Sequence, residues 1–136
     1  MYVLIVDPDP EDVELFCEAV LHVNPSIGCV FAKDGKEAFD ILQSGKEKPS
    51  LIFTDVDMPN MDGFQLLQSL KRDTALTDIP IIIYTSLTHV FKENNMVAVN
   101  EIGMDLGAST CISKPTSFDK LIEVVKLSVE SYKSTN

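Results

Sequence analysis

Short apolar runs and amphipathic stretches take turns along this chain. Residues 3–6 form a run rich in β-branched side chains that stops at Asp7, and residues 27–32 form a second. Residues 51–53 lead into Thr54 and Asp55, residues 79–84 into Thr85 and Ser86, and residues 110–113 into Lys114 and Pro115. Such nearly continuous apolarity suits strands buried on both faces of a parallel sheet. Between the runs lie helical patterns. Asp9-Pro10-Glu11-Asp12 reads as a helix start, with an Asp cap, proline in the first turn and acids at the positive end of the dipole. Val13, Phe16, Cys17, Val20 and Leu21 then recur at helical spacing. Ala38, Ile41 and Leu42 mark a second helix after Asp34-Gly35, and Phe64, Leu67 and Leu70 a third. Phe118, Leu121, Ile122 and Val125 mark the last, with Ser117 as its cap. Residues 89–107 fit neither pattern cleanly: Met96, Val97 and Val99 favour a helix, while Asn94, Asn95 and Asn100 oppose it.

This alternation predicts five β-then-α units, an α/β fold with a doubly wound parallel sheet and helices on both faces. It does not set the strand order. The 136 residues suffice for one hydrophobic core. With no linker or repeat in view, residues 1–136 are expected to form one domain, with no output domain.

In an open parallel sheet, ligands gather at the carboxyl ends of the strands. Those ends carry Asp7, Asp55, Thr85 with Ser86, and Lys114. Clustered carboxylates bind a hard divalent cation such as Mg²⁺. The cation lets one carboxylate approach an anionic phosphate donor and attack phosphorus, giving an acyl phosphate. A lysine and a hydroxyl can hold the other phosphoryl oxygens.

Charge narrows the choice of partners. A net charge of -10 repels phosphate backbones and anionic membrane surfaces, so proteins or small phosphate donors are expected, with no nucleic acid and no membrane. The apolar start is too short for a signal peptide and lacks a basic flank, which points to the cytoplasm. Cys17, Cys29 and Cys111 are odd in number and far apart in sequence, with no CxxC pair and with His22 and His89 distant. Buried free thiols are expected rather than a zinc site or disulfide framework.

The segment Thr54-Asp55-Val56-Asp57-Met58-Pro59-Asn60-Met61-Asp62-Gly63 resembles the phosphorylation loop of bacterial two-component response-regulator receiver domains. The Asp-Pro-Asp-Pro-Glu-Asp start, Tyr84-Thr85-Ser86 and Ser113-Lys114-Pro115 fall in the family's order, so the resemblance covers nearly the whole chain. It implies a flavodoxin-like (βα)5 fold of the stand-alone receiver type. It implies Asp55 as phosphoacceptor, Thr85 as switch hydroxyl and Lys114 as phosphate-binding lysine. The implied cofactor is Mg²⁺, held by Asp7, Asp55 and the backbone carbonyl of Asp57. The implied phosphoryl donor is a histidine kinase or phosphotransfer protein. The output is binding to a downstream protein, by a monomer or weak dimer that is a switch and not an enzyme.

Three departures stand out. Pro8 occupies the place of the family's second acid and offers neither carboxylate nor N–H. Metal affinity should fall, unless Asp7 moves in or Asp9, which reads first as a helix cap, reaches over. Cys111 stands where the family carries an aromatic switch, with Tyr84 as a weaker substitute. Residues 86–107 are longer than the family norm. Pro8 and Cys111 motivate an alternative: a degenerate receiver acting as a phosphorylation-independent interaction module. A third reading takes Asp55-Val56-Asp57 as the D-x-D of haloacid-dehalogenase-type phosphatases, but here it follows the third strand and not the first.

Overall fold

Residues 1–45 and 47–132 are described by a computed structural model, so the end of the expected 1–136 domain lies outside the described residues. The chain runs β1 (Tyr2–Val6), α1 (Pro10–Val23), β2 (Gly28–Ala32), α2 (Gly35–Ser44), β3 (Leu51–Thr54), α3 (Gly63–Arg72) and β4 (Ile81–Thr85). It continues through β5 (His89–Lys92), β6 (Asn95–Ala98), α4 (Val99–Asp105), β7 (Thr110–Ser113) and α5 (Phe118–Ser131). Five strands form one parallel sheet in the order β2-β1-β3-β4-β7. The winding reverses between β1 and β3, which is the flavodoxin-like order and opens a crevice at the carboxyl ends of those strands.

Alternation along the strands divides the apolar side chains between two cores. Val3, Ile5, Phe53 and Ile82 pack with Val13, Phe16 and Val20 of α1 and Leu121, Val125 and Val129 of α5. Leu4, Val6, Ile52 and Ile83 point the other way, against Ala38 and Leu42 of α2 and Leu66, Leu67 and Leu70 of α3. Burying a side chain such as Phe16 or Phe53 contributes about 1.5–3 kcal/mol each. The edge strand β2 departs from the expected two-sided burial: Val30 and Phe31 are exposed.

Helix starts follow local polar chemistry. The Asp9, Asp34 and Ser117 side chains accept backbone N–H groups of the first turns of α1, α2 and α5. Asp62 and Gln65 form a reciprocal capping box at α3. No described helix is long and apolar enough to cross a membrane.

The ambiguous stretch resolves into a hairpin followed by a short helix. The antiparallel pair β5–β6 turns through Glu93 and Asn94, both with positive φ, at 51° and 67°. Two central residues of positive φ match the twist of a two-residue hairpin. Met96 and Val97, which favoured a helix by spacing, therefore lie in a strand.

Candidate functional site

Three ladder hydrogen bonds run one residue past the strand ends and hold the polar residues in one layer. Asp7 N–H donates to the Ala32 carbonyl at 2.9 Å, Asp55 N–H to Val6 at 2.9 Å, and Lys114 N–H to Thr85 at 3.1 Å. The carboxylates thus emerge where β1 and β3 diverge. The loop after Asp55 is pinned as well. Asn60 adopts a left-handed φ of 67° and its amide donates to Asp34 at 3.0 Å. Gly63 lies against the backbone of Asp55 so closely that a β-carbon there would overlap the Asp55 carbonyl oxygen.

Lys114 sits at the centre of the cluster. Its Nζ donates to Asp7 Oδ2 at 2.7 Å, Asp12 Oδ2 at 2.8 Å and Asp55 Oδ2 at 3.1 Å. The Asp7 side chain is 0% exposed, and those of Asp55 and Lys114 are each 11% exposed. The other Asp55 oxygen, Oδ1, accepts the Thr85 hydroxyl at 2.6 Å and the Val56 N–H at 2.7 Å. One ammonium therefore serves three acids.

The ionisation shifts follow from that imbalance. Burial alone pulls Lys114 down, but hydrogen bonds to Asp12 and Asp7 and the charges of Asp55 and Asp7 outweigh it, so its pKa stands above that of an ordinary lysine. Burial pushes Asp7 up, against the lowering effects of Lys114 and the Asp9 N–H. The two partners shift the same way because Lys114 collects several carboxylates, whereas fully buried Asp7 bears the desolvation cost of its own charge. Burial also pushes the Tyr84 hydroxyl to about 12.

Asp7, Asp55, Thr85 and Lys114 are thus brought together as expected. Asp9 is not: it is exposed, and its Oδ1 is taken up in capping Glu11 N–H at 3.0 Å. Its backbone N–H instead donates to Asp7 Oδ1 at 2.9 Å. Asp57 is exposed on the loop beside Asp55, and its side chain stays out of the Lys114 cluster. Asp12, an acid that the positive end of the α1 dipole already explains, joins the cluster as well. It lies four residues before fully buried Phe16, so it shares that helix face, a signal that was available. Tyr84 packs edge-on against both Phe16 and Phe53, with ring centroids 5.6 and 6.0 Å away, in the core facing α1 and α5. It packs as a buried core aromatic. Cys111 lines an open surface cavity of about 370 Å³ together with Thr85, Ile83, His89 and Asn100.

The donor chemistry suits a hard cation. Mg²⁺ is typically bound through one or two carboxylates and keeps several waters. Asp7 and Asp55, joined through Lys114, bring two carboxylates of that kind together. Among the described residues, however, no group of three acidic, His or Cys side chains is arranged to hold an ion by itself.

Comparison with known proteins returns one family. Its model, described as the response regulator receiver domain, matches residues 3–126. The sensor histidine kinase RcsC of Salmonella typhi is 29% identical over 137 residues, covering 99% of this chain and 13% of that protein. The response regulator Rre1 of Synechocystis is 29% identical over 123 residues, covering 90% of this chain and 49% of that protein. The chain therefore spans only part of these relatives. Among solved structures, the phosphorylated cyanobacterial phytochrome response regulator RcpA superposes with a TM-score of 0.79 at 25% identity, covering 99% of this chain and 95% of that one.

Proposed function

The chain belongs to the response regulator receiver domain family, and on that premise we propose that it is a phosphorylatable switch of a two-component phosphorelay, with Asp55 as acceptor. The observation that carries this reading is the shared grip on Asp55. Thr85 holds one carboxylate oxygen and Lys114 the other, at the crevice where the winding reverses. Receiver domains in general are signalling switches and not enzymes.

In the proposed reaction an Asp55 carboxylate oxygen attacks the phosphorus of a phosphohistidine. The P–N bond breaks, its electron pair leaves on the imidazole, and Asp55 becomes an acyl phosphate. Lys114 exchanges its bond to Asp55 Oδ2 for one to a phosphoryl oxygen, and the Thr85 hydroxyl turns to another. Asp7, Asp55 and the Asp57 carbonyl would hold Mg²⁺, which supplies charge neutralisation for the meeting of two anions. Loss of the Thr85–Asp55 bond carries the change toward β5 and α4, where a downstream protein reads it.

The donor is a histidine kinase or a phosphotransfer protein, and the setting is the cytoplasm. Kinship with a stretch of RcsC, a sensor histidine kinase, supports that choice. A monomer or weak dimer suffices for this role. Pro8, and the Lys114 bridge that already engages the three acids, favour one second reading: a receiver fold used as an interaction module without phosphorylation.

Borohydride reduction separates the two. After incubation with acetyl phosphate and Mg²⁺, it converts an aspartyl phosphate to homoserine. Peptide mapping should find homoserine at position 55 and none in Asp55→Ala. Homoserine elsewhere, or a phosphoryl adduct that persists in Asp55→Ala, would reject the assignment.

A further inference from the structure

Helix α1 and strand β2 bring together two cysteines that lie 12 positions apart in sequence. The sulfurs of Cys17 and Cys29 stand 2.6 Å apart. Both residues are part-exposed, which corrects the expectation of separate buried thiols. They also line an open surface cavity of about 450 Å³ with Asp7, Pro8, Phe31 and Lys33, so a small reagent can reach them from solvent. A disulfide has an S–S bond of about 2.05 Å, so the sulfurs need to close by only roughly half an ångström. Cys111 lies on β7 and packs against the opposite core, away from this pair.

We propose that Cys17 and Cys29 form a reversible dithiol–disulfide couple, a second modification site on this chain, oxidised by small disulfides of the glutathione class. The proposal stands on the cysteine geometry and does not depend on the reactivity of Asp55.

The Cys17 thiolate attacks one sulfur of glutathione disulfide, whose S–S bond breaks to release a glutathione thiolate. Cys29 then loses its proton and attacks the Cys17 sulfur of the mixed disulfide, expelling the second glutathione. The protein gives up two electrons and two protons, and glutathione disulfide is reduced to two thiols. The order of attack follows from the contact between the sulfurs, which favours the thiolate on Cys17. The close sulfur–sulfur contact holds the Cys17 thiol below its ordinary range, while the same contact, burial and the neighbouring sulfur push Cys29 up.

The closed bond would tie α1, the helix that presents Asp12 to Lys114, to the edge strand of the sheet. It would close a short chain loop and restrict the unfolded state, raising Tm by about 5–10 °C.

The test is titration of the full chain with mixtures of reduced and oxidised glutathione, read by intact mass, non-reducing peptide mapping and thermal melting. The expected result is loss of two hydrogens, a Cys17–Cys29 linked peptide and a raised Tm that dithiothreitol reverses. Cys111→Ser should behave identically, and Cys17→Ser should form no internal link. Glutathione adducts without an internal link, links to Cys111 or between chains, or three free thiols throughout would each overturn the proposal.

Discussion

Pro8 sits between Asp7 and Asp9 with neither a carboxylate nor an N–H to offer, and its neighbours share out the consequences. Asp9 stays at the helix cap, Asp7 turns inward to Lys114, and Asp12 arrives from the first turn of α1. The site thus has three acids around one ammonium, but no acid at position 8. Restoring one should favour a divalent cation. Pro8→Asp is expected to tighten Mg²⁺ binding by roughly tenfold or more, since even outer-shell changes act on that scale. Calorimetric titration checks it, and an unchanged affinity would mean that another oxygen already fills the position. At this scale the sequence was legible wherever a residue ended a strand. Asp7, Asp55, Thr85 and Lys114 could be placed by sheet geometry alone. Asp12 was not, because its partner lies 102 positions away and its local context already explained an acid in a first helical turn.

Loop and helix elements position Asp55 as firmly as its own strand does. Gly63 opens α3 directly beneath the Asp55 carbonyl, and its N–H donates to Val56 at 3.0 Å. Adding a methyl group there must move backbone, since no flexible side chain stands in the way. Gly63→Ala is expected to cost about 1–3 kcal/mol of stability, by overpacking, and to slow phosphoryl acceptance at Asp55. Denaturant unfolding and acetyl phosphate kinetics check the two parts, and a fully stable, fully reactive variant would contradict the contact. The five parallel strands and four of the five helices were readable because each has a strong apolar period or a capping acid. The hairpin was not. Its strands expose Phe91 and Met96, so no alternation marks a buried face. Its turn uses Glu93-Asn94 without glycine, which removes the usual hairpin signal. The α4 helix that follows has no side-chain cap and spans only 7 residues, which left its start equally unmarked.

Across the whole molecule, a surplus of acid makes Lys114 a matter of stability as well as chemistry. Its folded pKa is raised, so its contribution is fully present below the ordinary lysine value and is lost only as pH climbs through the folded one. Asp7 is also raised, from 3.8, so its favourable contribution is present at acid pH and is lost as pH rises through its folded value. At neutral pH the charged Asp7 therefore costs stability, which Lys114 offsets. Lys114→Met should lower neutral-pH stability by about 3 kcal/mol, the scale for stranding a buried charge. The deficit should narrow toward acid pH as Asp7 takes up a proton. Thermal melts of both proteins in chelator across the pH range check this, and a pH-independent gap would contradict the account.

The central claim is that this constellation, despite Pro8, accepts a phosphoryl group. Intact-mass measurement after incubation with acetyl phosphate, across a Mg²⁺ series that includes none, tests it most directly. The expected result is one base-labile phosphoryl adduct whose yield rises with Mg²⁺. Absence of any adduct at every Mg²⁺ concentration would contradict it and leave the fold as an interaction module.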